Sequence, residues 1–181
     1  MRLLEPVTDH EVCTYWRTLQ NCPAHKELRG DILDSSYPSH TPWQKAVIED
    51  ADVPKMFMLS VPDFETLSNN TWMLPPAVEY YREHFAAGTY APAESYHAEH
   101  MQKLLDYGAA LDTRLIIVGE SKDGPFAILD GNHRAILLLD QDRLVGTTIY
   151  AGIHPDIRTF GRMKQTERRI RALRQTGQYP A

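Results

Sequence analysis

The sequence predicts a mixed α/β domain with a small mixed sheet, preceded by an N-terminal helical and irregular extension over residues 1–90. Three observations carry this. After residue 90, helix-period stretches alternate with short β-branched runs. Two of those runs are separated by only a short turn, which makes them antiparallel neighbours, whereas a helical stretch separates the next pair. At residues 126–139 a short apolar run, a glycine and a longer apolar run read as a strand delivering the backbone to a helix N-terminus.

Taken in order, residues 9–19 carry a helical pattern, and residues 55–59 read as a short strand. Around them lie turn-forming clusters: Ser35-Ser36-Tyr37-Pro38, Val61-Pro62-Asp63 and Leu74-Pro75-Pro76. Residues 77–86 suit a helix. Residues 93–107 form another, with Met101, Leu104 and Leu105 on its apolar stripe and Gly108 as its stop. Residues 114–118 make a strand, and Ser121-Lys122-Asp123-Gly124 turns the chain into a second at 126–129. A helix over 132–139 and a strand over 147–151 complete the core. The segment 158–174 has helical composition, with Met163, Ile170 and Leu173 as sparse apolar positions. Three divisions follow: the extension at 1–90, a core at 91–162, and a basic C-terminal helix and tail at 163–181.

At 181 residues the chain can bury a real core. No apolar run approaches the length that spans a bilayer, and Met1-Arg2-Leu3-Leu4-Glu5-Pro6 lacks the apolar stretch of a signal peptide, so no membrane partner is expected. Cys13 and Cys22 lie outside any CxxC spacing, which points to a reducing, cytoplasmic setting. The net charge of −5 conceals an asymmetry: from Arg158 onward there are seven Lys/Arg against Glu167 alone. Such a segment is either a solvated helix balancing an acidic body or an arm for nucleic acid. Aromatic residues that would stack on bases are missing from its middle, which favours the first reading.

The most informative residues are Asp130-Gly131-Asn132-His133-Arg134. The first amides of a helix have no intrahelical partner, and the macrodipole places partial positive charge there. A phosphate would then be held by main chain together with His133 and Arg134. Alternatively, Asp130 and Asn132 only cap the helix, although basic side chains in a first turn oppose the dipole.

The order of helix, strand, hairpin, strand, Asp-Gly-x-His-Arg turn, helix and strand resembles the sulfiredoxin/ParB-like nucleotide-binding core over residues 91–162. Within that superfamily the chain is most similar to free serine kinases, whose phosphate loop reads Asp-Gly-His-His-Arg and whose preceding helix opens on Pro-x-Glu; Pro92-Ala93-Glu94 stands there in this chain. The stretch Met101 to Asp106 also resembles the helix that faces the nucleotide in sulfiredoxins. Sulfiredoxins carry a reactive cysteine immediately before the His-Arg pair. Asn132 occupies that position, so no thiol relay operates. ParB-type partition proteins attach a helix-turn-helix after the core, and that role is not expected here.

The resemblance implies an ATP- or ADP-dependent kinase acting on a hydroxyl of a small metabolite, such as serine or a related amino acid. Glu94 would be the general base that takes the hydroxyl proton, with Asp130 as the second catalytic carboxylate. Gly131, Asn132, His133 and Arg134 would cradle phosphate, and His100 and Lys103 would reach the nucleotide from the facing helix. Asp130 would either brace the loop or bind Mg²⁺ that arrives with the nucleotide. His97 and His100 also have the i, i+3 spacing of metal ligands, but the HExxH and HxxEH orders are absent. The competing expectations are a non-catalytic nucleotide-binding regulator, or a ParB-like nucleic-acid-binding protein or nuclease.

Overall fold

The computed structural model describes residues 1–18, 40–58, 62–108 and 111–179. Its elements run β1 (Arg2–Val7), α1 (Asp9–Thr18), β2 (Trp43–Val47), β3 (Met56–Phe57), α2 (Pro62–Leu67), α3 (Leu74–Tyr80), α4 (Ser95–Asp106), β4 (Ile116–Gly119), β5 (Phe126–Asp130), α5 (Asn132–Asp140), β6 (Thr148–Ile153) and α6 (Gly161–Gln175). A π-helical turn (Tyr81–Phe85) prolongs α3, and a 3₁₀ turn (Pro92–Glu94) leads into α4. Cys22, the proline-rich stretch at 35–39 and the ends of the expected helix and strand at Leu19 and Leu59 lie outside the described residues.

Among the described residues the strands form one mixed sheet in the order β1-β2-β6-β4-β5-β3. The turn at 121–124 produces the expected antiparallel pairing of β4 with β5, and β4 runs parallel to β6. At the edges the structure departs from the expectation. The sequence reading has no strand at 2–7 or 43–47, yet β2 pairs antiparallel with both β1 and β6, and β3 lies parallel beside β5. Residues 1–90 therefore supply both flanks of the sheet and are continuous with the core.

Side chains alternate across a strand, so β4 and β5 feed two cores. Ile117, Phe126 and Ile128 face a layer built by α3, α4 and α5, where Leu74, Val78, Met101, Ile136 and Leu137 are buried. Ile116, Val118, Ala127 and Leu129 face the opposite side and meet Val12, Tyr15 and Trp16 of α1 together with Met163. Each fully buried isoleucine of this set contributes about 1.5–3 kcal/mol. A third cluster clamps α6 through Ile170 and Leu173 onto Phe57, Met73 and Tyr179. The three apolar positions read from the sequence of this helix are thus its buried stripe. No helix among the described residues is long and apolar enough to cross a membrane.

Candidate functional site

β5 ends at Asp130 and α5 begins at Asn132, with Gly131 between them at φ +92°. That left-handed conformation disfavours side chains, and a Cβ at Gly131 would lie 2.6 Å from Leu115 Cδ2. Ala135 N–H donates to the Gly131 carbonyl at 2.8 Å, and the amides of residues 132–134 precede that return bond in the first turn.

Arg134 is buried at 7 % exposure and its guanidinium is directed inward. Nη2 donates to Asp130 Oδ2 at 2.5 Å, and Nη1 donates to Tyr15 Oη and to the Asp112 carbonyl, both at 3.3 Å. Tyr15 donates in turn toward Asp112 Oδ1 and the Arg114 carbonyl, while the Arg114 guanidinium sits 4.2 Å over its ring. Burial, opposed by the Arg134 charge, pushes the Tyr15 hydroxyl up to about 12, so it remains a neutral donor. The fork expected to be free for phosphate is therefore a brace that ties the loop to α1, and Asp130 is the carboxylate that balances it.

On the other side of the loop, α5 meets α4. His97 Nδ1 and His133 Nε2 share a hydrogen bond of 2.8 Å, and the His100 ring centre lies 4.6 Å from that of His133. Phe64 of α2 closes over His97 and His133, with ring centres 5.4 and 5.1 Å away. Burial first, then the nearby His100 and His97, holds His133 well below the usual histidine range. Burial, followed by Lys103 and His97, lowers His100 as well. Both rings are neutral at pH 7, able to donate or accept a hydrogen bond but not to offer charge.

Glu94 ends the 3₁₀ turn, one helical turn before His97, and is buried at 7 % exposure. Each of its oxygens accepts one hydrogen bond: Oε1 from the Tyr80 hydroxyl at 2.5 Å, Oε2 from Ala91 N–H at 2.9 Å. Burial and then the hydrogen bond to Glu94 push Tyr80 up to about 12, which keeps it a donor. A carboxylate fixed in this way retains acceptor capacity on both oxygens, as a general base requires.

The fold thus brings His97, His100 and His133 together, with Glu94 one helical turn before His97, Gly131 and buried Asn132 at the start of α5, and exposed Lys103 one turn beyond His100. It turns Arg134 and Asp130 the other way, toward Tyr15 and Asp112. Sequence reasoning missed Tyr80, Tyr15, Asp112 and Phe64, which no local spacing connects to the loop. His97 carried a legible signal, since it sits three residues from both Glu94 and His100. Among the described residues no group of three or more His, Cys, Asp or Glu side chains is arranged to hold a metal ion. Comparison with protein-family models, with curated proteins and with solved structures finds no match to this chain.

Proposed function

We propose that this protein is a nucleotide-dependent phosphotransferase acting on a hydroxyl of a small metabolite, with serine or a related amino acid as the first candidate acceptor. The observation that carries the reading is the buried Glu94 carboxylate, gripped by Tyr80 and Ala91, one turn ahead of the histidines that pack on the first turn of α5. In phosphoryl transfer the protein mainly positions groups and neutralises charge. A bound ATP or ADP supplies the phosphoryl group, with Mg²⁺ carried on its phosphates. Glu94 accepts the proton of the attacking hydroxyl on an oxygen whose orientation Tyr80 fixes. The α5 amides and the Asn132 and His133 side chains face the anionic end of the ligand. Lys103 supplies a mobile positive charge at the rim. Arg134 acts through the loop, holding Asp130 and Gly131 in place.

The inward engagement of Arg134 and the neutrality of His133 favour one second reading, a nucleotide-binding regulator without catalysis, because they remove two cations from the phosphate side. One experiment separates the two: incubation of the purified chain with ATP or ADP, Mg²⁺ and a panel of hydroxylated metabolites, with mass-spectrometric detection of phosphorylated product. The expected result is a phosphorylated acceptor, with turnover reduced at least about a hundredfold in Glu94→Gln while nucleotide affinity is kept. Nucleotide binding without product across the panel supports the regulator. Absence of nucleotide binding by calorimetry removes both readings.

A further inference from the structure

The stripe of α6 opposite its buried side carries Lys164, Arg168 and Arg171, all exposed and spaced i, i+4 and i+7. At 1.5 Å per residue they form a straight ridge about 10 Å long. The opposite stripe, Met163, Thr166, Ile170 and Leu173, is at most 3 % exposed, so the helix is pinned to the body and the ridge cannot roll inward. Such a run of like charges repels itself, and Lys164 in the first turn also opposes the helix dipole.

Among the described residues only Glu167 offsets this, at Arg171. Among the described residues neither the Lys164 nor the Arg168 side chain has a hydrogen bond or ion pair, although the chain as a whole is acidic. Glu167 is the acid on this helix. It lies 3.3 Å from Arg171, but it is shared with Arg158 at 3.6 Å. The flanking arginines are turned aside, Arg169 toward the Trp72 ring and Arg174 toward the Tyr179 ring.

We propose that this ridge binds the phosphate backbone of double-stranded nucleic acid without reading its sequence. A membrane surface is the poorer match, because a helix that inserts among lipid headgroups needs a free apolar face, and here that face is buried on Phe57, Met73 and Tyr179. A single strand is poorer too. The other exposed positions of α6 from 163 onward are Gln165, Ala172, Arg174 and Gln175, which give unstacked bases no aromatic platform. A duplex backbone needs only a row of cations, and its affinity comes from released counterions.

The test uses the full chain and a fluorescein-labelled duplex DNA of mixed sequence, followed by anisotropy between 50 and 200 mM NaCl. Three phosphate contacts give an expected slope of log affinity against log salt of about −3, and Arg168→Gln alone brings it closer to zero by about one. The triple variant K164Q/R168Q/R171Q is expected to lose at least about tenfold in affinity at the lowest salt, with an unchanged circular dichroism spectrum because all three side chains are exposed. No binding of the duplex at 50 mM NaCl overturns the proposal. So does equal binding by the triple variant, or retention on phosphatidylserine vesicles without duplex binding.

Discussion

A guanidinium that reaches Asp130, Tyr15 and the Asp112 carbonyl at once cannot turn outward without breaking all three hydrogen bonds. Arg134 therefore belongs to the architecture of the loop before it belongs to any ligand. Its ion pair with Asp130 is largely removed from water, at 9 % and 15 % side-chain exposure. Deleting one member takes its buried ionic partner from the other, which is worse than deleting both. Arg134→Ala is accordingly expected to lower folding stability by on the order of 3 kcal/mol, visible as an earlier midpoint in urea denaturation. Any loss of nucleotide affinity should follow from the loosened loop, so the double variant Arg134→Met/Asp130→Leu should recover much of the stability. Unchanged stability combined with lost affinity would instead give Arg134 the direct phosphate contact that its sequence position suggests.

At the scale of elements, what the sequence revealed was local. The turn at 121–124, the apolar runs around Gly131 and the sparse stripe Met163, Ile170 and Leu173 each lie within a few residues of the structure they dictate. The edge strands do not. β1 includes Arg2, Glu5 and Pro6, is mostly exposed, and is defined by pairing with β2 about forty residues later, so no alternation of buried and polar residues announces it. The candidate site divides the same way. Gly131, His133 and Glu94 stand in readable motifs, whereas Tyr80 lies 14 residues from Glu94 and Tyr15 lies 119 from Arg134. Trp43 joins these long-range parts. It is 2 % exposed and its indole N–H donates to Asp9 Oδ1 at 3.1 Å, which fastens α1 to β2. Trp43→Ala is expected to cost about 3–5 kcal/mol. In hydrogen exchange the loss of protection should concentrate in α1, with α5 nearly unaffected. Equal loss in both helices would mean that α1 is not held separately by this contact.

For the whole molecule, the neutral histidines couple the candidate site to global stability. Burial holds His133, and less strongly His100, below the ordinary value, whereas in the unfolded chain both titrate near their usual pKa of about 6.5. Below that pH the unfolded state binds more protons than the folded one, so stability falls as pH drops through the histidine range and is fully present above it. Asp112 acts in a separate window. Burial works to raise its carboxyl, but Arg114 holds it below the usual value, so its contribution disappears only in stronger acid. Urea denaturation at pH 7.5, 6.5 and 5.5 should therefore show a stability lower at 5.5 than at 7.5. His133→Gln, which keeps a hydrogen-bonding side chain without a titrating ring, should flatten much of that slope. If wild type and variant lose stability in parallel, His133 is not the group that is kept neutral. If the slope disappears in the variant, the same burial that sets the neutral ring of His133 against α4 is what makes the fold sensitive to acid.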